Sequence, residues 1–310
     1  MSVKLITDST SYISEKLQRE LDITIVPLSV SFPDEQFLET EVDYDYFYNK
    51  IETSGVIPTS SLPSVGDMHQ CFSKIIKDGH DILAIFISSK MSGTFQSAML
   101  AREQLIEEFP EARIDILDSK TNCMSLGYPV VEAARAAALG QSLSEVSDLA
   151  SSLIERMNFY FTPATLEYLK KGGRIGGAAA LLGKVLKIRP VLFVDNGSTN
   201  VCKKARGFTG AVNEILKILE RDFTQRDLKQ VIVHHINFPE KAQELVQFIK
   251  QTYDIDAPVL SIGPVIGLHV GPGTVGIVGN LRKPHFGNCA SAFSVMLCRR
   301  ELAESLRYAA

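Results

Sequence analysis

Short β-rich runs alternate with longer amphipathic ones through the first half of the chain. "VKLIT" (3–7), "ITIVPLSV" (23–30), "ILAIFIS" (82–88) and "RIDILDS" (113–119) are bounded by polar residues and predict strands. Between them, Val65, Met68, Phe72, Ile75 and Ile76 form one helical stripe, with Ser64 placed as its N-cap. Phe95, Ala98, Met99, Leu105, Ile106 and Phe109 form another. This alternation predicts an α/β fold with a mostly parallel, doubly wound sheet.

A helical pattern from Leu143 to Met157 closes this half, and "FYFTP" opens a second unit. There, "KIRPVLFVDNGSTNVCKKARG" reads as two strands around an Asn-Gly turn, a hairpin. A helix over about Thr209–Glu220, the strand "QVIVHHI" and a helix from Pro239 to Tyr253 follow, so this sheet is expected to be mixed. The expected boundaries are an N-terminal α/β domain over 1–157, a C-terminal α/β domain over 158–280 and a helical extension over 281–310.

A length of 310 residues supports two cores better than one. The net charge of −4 gives no reason to expect nucleic acid as a partner. The N-terminal segment does not read as a signal peptide, and no apolar run reaches the roughly 18 residues of a membrane span. Five cysteines without a CxxC pair suit a reducing compartment, so a cytoplasmic location is expected.

Several catalytic look-alikes fail. "GPGTVG" (271–276) matches a dinucleotide loop literally, but Pro272 interrupts it and no acid follows at the required distance. "GAAALLGKV" is one residue too long for a phosphate loop and has Val185 where a magnesium-binding hydroxyl belongs. His234 and His235 are neighbours on a strand, point to opposite faces and cannot simply share a metal. No metal, cofactor or self-contained catalytic apparatus is expected.

Three hydroxyl-rich segments stand out: "DST" (8–10), "PTSSLPS" (58–64) and "SSKMSGT" (88–94). Each follows a strand or precedes a helix, which in a doubly wound sheet places it at the ligand crevice. Free helix N–H groups and rotatable hydroxyls there suit a carboxylate or phosphate, and Gly93 allows close approach. Ordinary helix capping explains any one segment equally well.

Together with "ITDST", "LEYLKKGGRI", "KIRPVLFV", "KKARG" and "GPVIGLHVGPGTVG", these segments make the chain resemble the DegV family of bacterial fatty-acid-binding proteins, from about Val3 to Val278. The resemblance implies two α/β domains, with a long-chain fatty acid held between and within them. It also implies that the acyl carboxylate is presented to the catalytic subunit of a separate fatty acid kinase, which uses ATP to make an acyl phosphate. The chain itself is then a substrate-binding subunit rather than an enzyme, and transient contact with a membrane surface is compatible with that role.

By the same resemblance, Ser92 matches the serine of the family's SGT element, with Gly93 and Thr94 beside it. Ser60, flanked by Thr59 and Ser61, matches its second carboxylate-binding hydroxyl, and His269 its histidine. The arginines of its "KKGGRI" and "KKARG" elements match Arg174 and Arg206, and these, in two short basic segments of an acidic chain, are the residues expected to dock the kinase. Ser60 replaces a more usual threonine, and Leu62 stands where glutamine is common. The competing reading is an enzyme of a small phosphorylated or carboxylated metabolite, with His269 as acid–base residue. The run "GGRIGGAAALLG" either lines a tunnel or packs closely against a neighbour.

Overall fold

The computed structural model describes residues 2–183, 188–225 and 230–280. In chain order the first half runs β1 (Val3–Asp8), α1 (Glu15–Glu20), β2 (Ile23–Val26), β3 (Ser29–Ser31), β4 (Gln36–Leu38), α2 (Tyr44–Ser54) and β5 (Thr59–Ser61). It continues through α3 (Val65–Lys77), β6 (Asp81–Phe86), α4 (Thr94–Glu108), β7 (Ile114–Asp118), α5 (Met124–Ala138) and α6 (Leu143–Arg156). The second half runs β8 (Asn158–Thr162), α7 (Glu167–Lys171), β9 (Ile188–Asp195), β10 (Ser198–Arg206), α8 (Gly207–Gln225) and β11 (Val231–Ile236). It ends with α9 (Pro239–Tyr253), β12 (Val259–Ser261), α10 (Pro264–Val270) and β13 (Thr274–Gly279).

The first sheet has the order β2-β1-β6-β7, and every pairing in it is parallel. All six residues of β6 are buried, so successive side chains feed opposite faces of a covered sheet. Ile82, Ala84 and Phe86 pack with Met68 and Phe72 of α3 and Ala98 and Leu105 of α4. Leu83 and Ile85 join a second core with Val130 of α5 and Val146 of α6. The N-cap expected at Ser64 is a full capping box, with Ser64 and Asp67 each accepting the other's backbone N–H.

The second sheet is mixed, in the order β10-β9-β8-β13-β11-β12. One face (Tyr160, Phe193, Val233, Ile277) is covered by Ile215 and Leu219 of α8 and Leu245 of α9. Phe159, Phe161, Leu192 and Val194 of the other face belong to the same core as Leu83 and Val130, so that core spans both sheets. The hairpin turn is where the Asn-Gly signal puts it. Asn196 and Gly197 both have positive φ, 45° and 82°, and close Asp195 against Ser198.

Three features depart from expectation. "ITIVPLSV" is not one strand: β2 stops at Val26, because Pro27 has no N–H to extend the ladder, and β3 begins at Ser29. β3 then pairs antiparallel with β4 and β5 in a small third sheet, which puts the Thr59–Ser61 hydroxyls on a strand rather than in a helix-capping loop. Third, α1, α2, α5 and α10 are helices beyond those expected; in α2, Asp43 caps the start and Gly55 closes the end at φ 66°. The extension expected over 281–310 lies outside the described residues.

Candidate functional site

A cavity of about 80 Å³ opens where the two sheets and the small third sheet meet. Its polar lining comes from Ser60, Ser92, Asn122, Arg174, Thr199 and His269. Leu28, Met91, Phe159, Phe161, Leu169 and Ile266 supply most of its apolar wall.

β5 delivers Ser60. Side chains alternate along a strand, so Ser60 faces the cavity while Thr59 and Ser61 face away and are exposed. Ser60 Oγ lies 3.1 Å from His269 Nε2. His269 sits in the last turn of α10, where burial and then the nearby Arg174 charge push its pKa down to about 4. The imidazole is therefore neutral near pH 7. Its Nδ1 is buried with no hydrogen-bond partner.

The row after β6 divides its hydroxyls among different tasks. Ser88 Oγ donates to the Gly197 carbonyl at 2.9 Å, fastening the β9–β10 turn to this loop. Ser89 Oγ donates to Asp118 at 2.5 Å. Ser92 alone of the row's hydroxyls lines the cavity. Its Oγ lies 2.8 Å from Thr94 Oγ1 and accepts the Thr94 N–H at the start of α4, so Thr94 supports Ser92 without lining the cavity itself. Gly93 does line it, and a Cβ there would crowd Leu62 at 3.1 Å.

The "DST" segment does not join them. Asp8 is fully buried and its carboxylate accepts from the N–H groups of Thr10 and Ile87 and from Thr10 Oγ1. Those acceptor sites serve the turn and the backbone just after β6, so two of the three hydroxyl rows converge and one does not.

Arg174 is exposed yet borders the cavity, held by bonds to the carbonyls of Met91 at 3.0 Å and Gly172 at 2.5 Å. Arg206 ends β10, exposed and away from the cavity lining. Apart from Arg174, the small-residue run does not line this cavity: Gly176 and Gly177 lie close against Thr199 O and Asn200 Oδ1, which is the close-packing alternative.

Asn122 was missed in the sequence. It follows β7 as Ser92 follows β6, at the carboxyl edge of the parallel sheet, and "DSKTN" carried the signal. Its Oδ1 is buried without a partner. Asn122 and His269 thus each bring a buried polar atom without a partner to the residues lining this one cavity.

His234, of the adjacent pair on β11, has another task. His234 is fully buried between the Leu260 carbonyl on Nδ1 and the Met124 N–H on Nε2, tying β11 to α5. Burial depresses its pKa to about 4, so it is neutral. Among the described residues no group of His, Cys, Asp and Glu can hold a metal ion, and no helix is long and apolar enough to cross a membrane. The segment 271–276 leads from α10 into a strand, not into a helix, which is the wrong order for a dinucleotide loop.

The profile of the DegV family of uncharacterised proteins matches residues 2–280. A DegV domain-containing protein of Clostridium acetobutylicum is 45% identical over 277 residues, covering 89% of this chain and 97% of its own. Among solved structures, a fatty-acid-binding DegV family protein from Thermus thermophilus superposes with a TM-score of 0.81 at 33% identity, covering 90% of this chain and 99% of its own. A stearic-acid-binding protein from Eubacterium ventriosum superposes with a TM-score of 0.83 at 27% identity, covering 90% and 98%. In sequence, in fold and over nearly all of its described length, the chain belongs to the DegV family.

Proposed function

We propose that this chain binds a long-chain fatty acid, with the carboxylate at Ser60, Ser92 and His269 and the tail along the apolar wall. The observation that carries the reading is the meeting of Ser60 and His269, 209 positions apart in sequence, beside Ser92 at the edge of an aromatic-lined cavity. A neutral His269 can donate one ring N–H to a carboxylate oxygen, and the serine hydroxyls can donate two more. Solved relatives described as fatty-acid-binding support the ligand class.

The cavity of about 80 Å³ is smaller than the roughly 300–1,000 Å³ typical of small-molecule pockets. Acyl binding therefore requires the apolar wall to part. Burying ~12 methylenes yields about 10 kcal/mol gross at ~0.8 kcal/mol each, against which the rearrangement and the entropy of association are set. The small-metabolite enzyme reading is weaker, because a histidine titrating near 4 is poorly matched to acid–base work at neutral pH.

Organic extraction and mass spectrometry of detergent-free protein made in bacteria should return about one long-chain fatty acid per chain. Ser60→Ala and Ser92→Ala should each weaken binding by about 1.5–3 kcal/mol, one hydrogen bond to a charge. Repeated extraction without lipid, or unchanged affinity in both variants, refutes the reading.

The carrier role follows as part of the same proposal. This chain presents the carboxylate to the catalytic subunit of a separate ATP-dependent kinase, with no ATP turnover of its own, and Arg174 and Arg206 meet that subunit. Guanidinium groups suit this because they pair bidentately with carboxylates. Arg206→Glu should abolish kinase-dependent acyl phosphate formation and leave fatty acid affinity intact. Normal phosphorylation of that variant would place docking elsewhere, and ATP turnover by the chain alone would end the carrier reading.

A further inference from the structure

α10 has seven residues, begins at Pro264 and has no side-chain cap of its own. A helix this short does not hold itself in water. Its first-turn donors are satisfied from the other half of the molecule. Val265 N–H donates to Glu39 Oε1 at 2.8 Å, and Ile266 N–H donates to Tyr12 Oη at 3.2 Å. Pro264, the first residue, has no N–H to satisfy.

Glu39 follows β4, is 2% exposed and has no basic partner among its hydrogen bonds. Its Oε2 accepts from Ser9 Oγ at 2.5 Å, and Ser9 Oγ in turn accepts the Leu28 N–H at 3.1 Å. Its Oε1 also lies 3.0 Å from Tyr12 Oη. Tyr48 Oη completes the clamp by donating to the Ile262 carbonyl at 2.8 Å. The carboxylate thus closes one end of a helix whose other end carries His269. The four steps from Val265 to His269 span about 6 Å at 1.5 Å each, so a slip of the first turn moves the imidazole with it.

We propose that Glu39, with Tyr12, is a positioning residue for the head-group site: its carboxylate caps α10 from the opposite half and sets where His269 meets Ser60. The inference rests on the head-group reading above. Glu39 touches no ligand in this role; it acts through the helix. It explains why a carboxylate is buried without a basic partner, where an apolar residue of similar size would leave the Val265 N–H unsatisfied.

The test compares hexadecanoic acid with its methyl ester, which has the same tail and no charged head, alongside the ¹⁵N-histidine spectrum of the intact chain. Glu39→Gln keeps an oxygen for the Val265 N–H and should leave the acid-to-ester affinity ratio and the His269 signals near wild type. Glu39→Ala should lower that ratio by about tenfold, the scale of one hydrogen bond to a charge, and shift the His269 ring signals. A purely structural role would instead weaken acid and ester together. If Glu39→Ala does not fold, Tyr12→Phe, which removes the acceptor for Ile266 N–H, should shift the same signals in the same direction. His269 signals and a ratio unchanged in the folded variant overturn the inference. A wild-type chain with no preference for acid over ester sinks the head-group reading instead, and the His269 signals then still decide the role of Glu39.

Discussion

Gly172→Ala should weaken long-chain fatty acid binding by roughly 10- to 100-fold, the loss of one hydrogen bond to a charge. Gly172 ends α7 at φ −76°, a conformation open to any residue, so the requirement for glycine there is one of space. A Cβ on it would stand 2.2 Å from His269 Nδ1 and 3.0 Å from Cε1. Making room for it displaces the imidazole from the position in which Nε2 meets Ser60. Calorimetric titration of the folded variant checks the loss. Gly173→Ala is the control: its φ of 70° makes the backbone strained, but its Cβ would meet nothing within 4 Å. That variant should lose about 1–2 kcal/mol of stability and keep its affinity. Equal affinity in Gly172→Ala and wild type would show that His269 does not hold the head group.

Asp8→Ala should be among the most destabilising single changes in the first half. The side chain is fully buried at the end of β1 and accepts from Ile87 N–H at 2.7 Å and Thr10 N–H at 3.0 Å. Burial pushes its pKa up to about 6, against the pull of those donors. Truncation leaves both N–H groups without an acceptor, at about 1–3 kcal/mol each. Thermal melting should fall by roughly 5–20 °C at about 2–4 °C per kcal/mol. Asp8→Asn, which keeps one oxygen, should lose less. A melting point for Asp8→Ala within about 2 °C of wild type, at most about 1 kcal/mol on that scale, would contradict this expectation.

Much of this frame is legible in the sequence because its signals are local. Asn196-Gly197 demands positive φ, and Pro239 and Asp254 bracket α9 over the expected residues. β3, β4 and β5 are harder to see, since three-residue strands are too short to display a period and become strands only by pairing with one another. The site divides in the same way. Ser92 and Ser60 are visible as hydroxyls near helix starts, but so is the "DST" row, whose carboxylate is taken up by its own turn and by Ile87 N–H. Local sequence cannot separate a hydroxyl that faces a cavity from one that faces a carbonyl. The Phe159 and Phe161 wall is hidden because aromatic residues in a strand look the same on either face of a sheet.

The position of β13 also has a consequence for how the protein comes off the ribosome. That strand, Thr274–Gly279, lies between β8 and β11 and pairs antiparallel with both. Until it emerges, the second sheet exists as two fragments, β10-β9-β8 and β11-β12, each with an unpaired edge. The first sheet needs nothing beyond Asp118 for its strand pairings and can form early during synthesis. His269 lies five residues before β13, so the cavity is completed only in the last stage of sheet closure. Nascent chains halted before that strand would expose two sticky edges, and they would have no finished pocket to occupy.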